Sequence, residues 1–402
     1  MRLALSNVLR QAVLRPHWLR VACVFLAVCI GLVVLALSPA TLSTLDERVD
    51  SLTWRMSDKQ ALERRIVVVD IDEKSVQALG PWPWSRTTLA SLVEGLEHYK
   101  VGLKLYDIVL PDSKPGDERL SQVLANGSPS VWGQVFSIAP DINVSSGHLL
   151  GGLDLGPCPK IAATGYGFVA NHAGLMGPGA TAGHITPIVD SDGGVRRVPA
   201  FVCWQGRSYP SLVLAGLLQV DGGEPQILRG QSWLDAPWRV TLGRLPGVSL
   251  PLNDQGQMRV SYQVPRSGFV SVSAIDIIER RAPADMLRGV WALVGSTAFG
   301  VGDAIPTPYG GAVGGLEVHA QLLAAALDGR TPYAPSATWL WPAVATTFGL
   351  ALLLAFATLG DRATPSGSAR SYSGWTLPFL GLLLVAIFYT VHASVQIGRA
   401  HV

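Results

Sequence analysis

Arg65-Ile-Val-Val-Val-Asp-Ile-Asp72 decides the fold class. It is a short β-branched run of the kind that forms a buried strand. Downstream, Ser85-Arg-Thr-Thr opens an amphipathic stretch through Tyr99, with Leu89, Leu92, Val93 and Leu96 at helical spacing. Val101-Gly-Leu-Lys-Leu-Tyr-Asp-Ile-Val-Leu110 reads as a second strand. A helix led by Asp117-Glu118 follows, then a strand from Ser130 to Phe136. This β-α-β-α-β order predicts an α/β domain with a mostly parallel mixed sheet covered by helices.

Further along, Asp192 to Val202 reads as a turn into a strand and Ser208 to Leu218 as a helix. Residues 221–270, rich in Gly, Pro and Asp, are expected to make short antiparallel strands and loops. Alternation then returns: a helix from Ala274 to Arg281, a buried strand over Gly289–Gly295, and a helix over Gly315–Leu327. There is no internal repeat.

Composition locates this domain. Of 402 residues, 49% are hydrophobic and 15% charged, against roughly 25% charged in soluble domains. Mean hydropathy is +0.32, which excludes intrinsic disorder. A net charge of +2 gives no reason to expect nucleic acid as a partner. The apolar excess is concentrated at the two ends of the chain. Val21 to Leu45 carries no charge, and a bilayer core of roughly 30 Å needs about 20 helical residues. Arg2, Arg10, Arg15 and Arg20 precede it, while Asp46, Glu47 and Asp50 follow, which keeps the N-terminus inside. Ala36-Leu37-Ser38 vaguely resembles a signal-peptide cleavage site, but Pro39 directly after it argues for an uncleaved anchor.

Thr338 to Gly360 and Trp375 to Val395 are also free of charge, and both have tryptophan near their start. The expected organisation is a cytoplasmic N-terminus (1–20), a span (21–42), an extracytoplasmic α/β domain (43–335), a span (338–360), a cytoplasmic loop (361–374) and a last span (375–395). The fold is thus an extracytoplasmic α/β domain plus transmembrane helices, one before and two after. Ile397-Gly-Arg-Ala-His-Val402 equals the translation of a common short-read sequencing adapter. Residues 397–402 are therefore expected to be artefactual, with the natural reading frame continuing beyond Gln396.

Seven segments in order carry a resemblance: "IVVVDIDEKS" (66–75), "WPWSR" (82–86), "GLKLYDIVL" (102–110), "DGGVRRVP" (192–199), "YPSLVLAGL" (209–217), "WALVGSTAFGVGDAIPTP" (291–308) and "GGLEVHAQLLAAAL" (314–327). Together they resemble the type 2 CHASE domain, a cyclase/histidine-kinase-associated sensory extracellular domain. The resemblance covers nearly all of residues 45–330, although 137–190 and 221–270 match nothing specific. It implies a sensor that feeds a cytoplasmic adenylate or guanylate cyclase, histidine kinase or diguanylate cyclase, and it implies a homodimer. No kinase or cyclase motif stands in these residues. The alternatives are a membrane-anchored envelope scaffold or an exported enzyme without a recognisable catalytic motif.

Ligands of open α/β sheets gather at the C-terminal ends of the strands. Asp70, Asp72, Asp107 and the turn Gly295-Ser296-Thr297 end or follow predicted strands, and Asp303 comes shortly after. They make a candidate site for a cation or a small polar ligand. The competing reading is that these aspartates cap helices and fix turns. Trp82-Pro-Trp-Ser-Arg86 is expected to close the core with its rings while Arg86 pairs with a carboxylate. Arg196 and Arg197 read as hairpin surface that could also hold an anion. Glu317 and His319 point apart on a helix, and His172, His184 and His319 share no ligand spacing, so no metal site is assigned. No phosphate loop is present, and neither the stimulus, small molecule or protein, nor any cofactor is assignable. Cys158 and Cys203 could pair in an oxidising compartment, whereas Cys23 and Cys29 fall in the first span.

Overall fold

The computed structural model describes residues 62–175, 180–190, 192–298, 304–306 and 312–336. They lie within one compact unit, Trp54–Ser336. No helix among the described residues is long and apolar enough to cross a membrane. The three predicted spans, the segments 1–20 and 361–374 and the tail 397–402 lie outside the described residues.

The decisive run becomes β1 (Glu63–Ile71), flanked on both sides by parallel partners, β16 (Phe269–Ser273) and β17 (Trp291–Ser296). A strand in that position needs apolar side chains on both faces. Side chains alternate across a strand, so Val67, Val69 and Ile71 enter one core while Ile66 and Val68 enter another. The parallel sheet continues through β2 (Leu103–Tyr106), β3 (Ser130–Ser137) and β7 (Ala180–His184). The last residues of β3 also pair antiparallel with β6 (Gly167–Val169), which carries the two-residue β4 (Ser145–Ser146) at the edge.

One face of this sheet is covered by α1 (Glu73–Leu79), α2 (Arg86–His98), α3 (Asp117–Asn126) and α5 (Ala274–Ile278). Ser85 caps α2 by accepting the Thr88 N–H at 3.2 Å. Lys104 of β2 is buried on this face and is held by Glu97 of α2 and by Ser128. The other face is covered by α4 (Leu212–Asp221) and α6 (Gly315–Leu327). Both helices are apolar nearly all round, as buried helices are. Gly216 lets α4 press onto β2, since a Cβ there would stand 2.7 Å from Leu105 Cδ2.

Small sheets extend the second core: β8 (Ile188–Val189), β9 (Val195–Pro199) and β15 (Gln257–Arg259); β12 (Gln226–Arg229), β13 (Trp238–Thr241) and β14 (Ser249–Leu252). A third small sheet joins β5 (Ala163–Thr164), β10 (Phe201–Trp204) and β11 (Arg207–Pro210), and β18 (Ala304–Pro306) pairs with β19 (Ala312–Gly314). A disulfide links Cys158 to Cys203 of β10. At the start of β1, Arg65 pairs with Glu63 and with Asp328, the residue that caps the end of α6, at 2.6 Å.

Three details differ from the sequence expectation. Ser208–Pro210 belongs to β11, and the helix begins only at Leu212, after its N-cap Ser211. Pro210 pushes the preceding residue into extended backbone, which ends the strand before the helix can start. Phe269–Ser273 is a parallel strand of the main sheet rather than a loop or an antiparallel strand, because it gains β1 as a partner. The helix expected to reach Arg281 stops at Ile278, with Arg280 at φ 58°.

Candidate functional site

Because β16, β1, β17 and β2 run parallel, their C-termini share one edge, and the register sets Asp70 opposite both Ser273 and Gly295. Asp70 accepts the Thr297 N–H at 3.1 Å and the Thr297 hydroxyl at 2.6 Å. Burial pushes its carboxyl above the ordinary carboxylate range, the Thr297 bonds oppose this, and the charges of Asp72 and Glu73 reinforce it. Ser296 donates to the Ile71 carbonyl at 3.0 Å.

Asp72 is the N-cap of α1. It accepts the Ser75 N–H at 2.9 Å, the Ser75 hydroxyl at 2.7 Å and the Ser273 hydroxyl. Burial disfavours its charge, but the bonds from Ser273 and Ser75 outweigh that and hold the carboxyl below its usual range. Ser75 in turn accepts the Ile275 N–H at 3.1 Å, which knits α1 to α5. Asp107 takes a third position, its N–H on the Val294 carbonyl at 2.8 Å. Its backbone flanks Gly295, where a Cβ would lie 3.3 Å from Asp107 Cβ and 2.7 Å from Leu316 Cδ1. The missing side chain at 295 therefore lets the first turn of α6 seat against this edge.

Five of the sequence candidates, Asp70, Asp72, Asp107, Ser296 and Thr297, are thus arrayed along one edge in three separate arrangements, and Asp303 lies outside the described residues. No group of three or more His, Cys, Asp or Glu side chains able to hold a metal occurs among the described residues. The oxygens of Asp70 and Asp72 already accept N–H and O–H groups, so what they do chemically here is tie strand ends to the following helices. Arg86 is buried on Asp117 at 2.8 Å and on the Asp112 carbonyl at 2.7 Å. Trp84 donates to the Gly80 carbonyl at 2.9 Å beneath the edge of Trp82. Arg196 bonds Asp190 and Asp192, and Arg197 bonds Asp190, so both face carboxylates of their own hairpin.

Sequence spacing did not single out His184 and His319. His184 ends β7, fully buried, with both ring nitrogens lacking a hydrogen-bond partner. Burial drives its pKa down to about 3, and the charge of His319 acts in the same direction. His319 on α6 is lowered by burial as well, opposed by Asp107. Near the start of α6, burial raises the carboxyl of Glu317, with Arg266 and Gln321 opposing it. The signal available in sequence was a lone histidine inside an otherwise apolar helix, Val318-His319-Ala320. Away from this edge, a cleft of about 600 Å³ lies between residues 154–161 and the β12–β13 hairpin, with Leu155, Ile227 and Trp238 among its walls.

A parallel sheet sandwiched by helices, with strand ends gathered against one long helix, defines the class of the domain as α/β. The CHASE2 domain family model matches residues 21–359. The chain therefore belongs to the CHASE2 family of sensory extracellular domains of signalling receptors. No curated protein and no solved structure matches it.

Proposed function

We propose that this chain is the sensor and membrane portion of a bacterial transmembrane receptor, with the α/β domain outside the cytoplasmic membrane. The helices expected at 21–42, 338–360 and 375–395 hold it there, and the output is a cyclase or kinase on the cytoplasmic side. The observation that carries this reading is the path of α6. Its first turn packs against Gly295, at the C-terminal edge of the sheet, and Asp328 at its end pairs with Arg65, near the opposite edge. Residues 328–337 then lead to the apolar run that starts at 338. A buried helix of this length spans about 20 Å, so a change at the C-terminal strand ends reaches the opposite edge of the sheet as one rigid element. A stimulus acts only by binding two arrangements of that helix with different affinity.

Fusions of alkaline phosphatase, an enzyme active only after export, test the topology. Fusions joined after Gly256 and after Gly329 should be active, and one joined after Pro365 inactive. Activity in the reverse order would remove the sensor reading.

A further inference from the structure

His319 lies on α6 itself, and His184 ends β7, which packs against α4, the helix next to α6. Around His184 stand the Phe136 ring, edge-on at 6.4 Å, and Ser211, bridged to it at the start of α4. The Pro199 backbone lies near the ring and opposes the effect of burial on it. His319 is 5% exposed with Nδ1 unpartnered. Each ring lies within electrostatic reach of the other, and Asp107 within reach of His319.

An unpaired imidazole in an apolar core is tolerated while neutral, because a charge there needs water or a counter-charge. Charged groups on the surrounding elements are engaged elsewhere. Asp70 of β1 is bonded by Thr297, Lys104 of β2 by Glu97, and Asp221 of α4 by the Arg244 and Leu245 N–H groups. Arg207 of β11 donates to the Gly152 carbonyl, and Glu317 of α6 faces Arg266 at 4.0 Å. The strands β3, β7 and β17 contribute no other titratable side chain. Among the described residues Asp107 is therefore the carboxylate within reach of His319, and no carboxylate acts comparably on His184.

We propose that His184 and His319 make this domain a proton sensor, in which external acid protonates the pair and releases α6 from its seat. The proposal rests on the sensor reading above and names its stimulus. With α6 seated, both rings bind protons more weakly than a solvated histidine, whose ordinary value is about 6.5. The seated form therefore keeps its full stability above about pH 6.5 and loses it as the pH falls below that value. Down to the depressed values in the seated form, each histidine moves the balance toward release about tenfold per pH unit.

Amide hydrogen exchange on the full chain at pH 7.5 and pH 5.0, corrected for intrinsic exchange, tests this with α2 as internal reference. Protection of Gly315–Leu327 should fall more than tenfold relative to α2 at the lower pH, and H184Q/H319Q should remove that difference. Equal changes in α6 and α2 in the unmodified chain would overturn the proposal. Should the double variant fail to fold, H319Q alone decides: a smaller pH difference in α6 protection supports the proposal, and an unchanged difference overturns it. Failure here with exported phosphatase fusions would remove the proton as stimulus and leave the sensor standing. Cytoplasmic fusions would remove the sensor reading itself.

Discussion

The two faces of the central sheet bury comparable apolar cores but treat polarity differently. On the α2–α3 face the charged groups are answered: Lys104 by Glu97, Arg86 by Asp117. Its unpartnered atoms are Tyr99 Oη, Tyr106 Oη and Trp132 Nε1, with Tyr106 stacked on Trp132 at 4.1 Å. Burial pushes the Tyr106 hydroxyl far upward, and the Trp132 indole N–H carries no proton to lose in this range, so this stacked pair stays neutral at any pH the protein meets. On the α4–α6 face the unpartnered atoms among the described residues include the imidazole nitrogens of His184 and His319 as well as Asp221 Oδ2, and an imidazole, unlike an indole, can take up a proton as acid reaches it. The same structural defect is inert on one face and switchable on the other. The side chain that carries it makes the difference.

Core truncations give the largest test of this contrast. Trp132→Ala on the first face should lose about 3–5 kcal/mol and Leu322→Ala on α6 about 2–5 kcal/mol in urea unfolding at pH 7. Lowering the pH to 5 should reduce the stability of Trp132→Ala and the unmodified chain by equal amounts, since tryptophan does not titrate. Unequal reductions would show that acid also acts through the first face.

Opening the Cys158–Cys203 disulfide is the next largest perturbation. Chain-entropy reasoning for a separation of 45 residues gives about 4 kcal/mol. Thermal unfolding with and without reductant should show the loss, with its pH dependence unchanged. Glu97→Gln leaves the Lys104 ammonium buried without its counter-charge. That costs about 2 kcal/mol, below the full value for a buried pair because Glu97 is partly exposed. Smallest are the helix caps. Ser85→Ala on α2 and Ser211→Ala on α4 should each lose about 1 kcal/mol by the same measurement. A much larger loss for Ser211→Ala would assign the hydroxyl a role beside His184 beyond capping.

Much of this architecture was legible locally. The β-branched run before Asp72, the leucine spacing of α2 and the apolar helix at 315–327 each carry their own pattern. The parallel-sheet rule was enough to array Asp70, Asp72 and Thr297 along one edge. It could not say that Thr297 would occupy Asp70, because that bond joins residues far apart in the chain. The seven-residue α1 was missed because it is too short for periodicity to show, although Asp72 and Ser75 hold its cap. The strand β16 was missed because Val270-Ser-Val-Ser273 alternates as a half-exposed strand does. His184 and His319 were invisible as a pair for a physical reason. Whether a histidine is solvated or sealed depends on which distant segments close over it, and here those are Ser211, Phe136 and Asp107.

The Arg65–Asp328 pair has a consequence for heredity as well as for mechanics. It holds the start of β1, near the first described residues, against the end of α6, near the last. A unit whose ends meet can be spliced between two neighbouring segments of another protein without forcing them apart, which is why domains of this kind tolerate insertion.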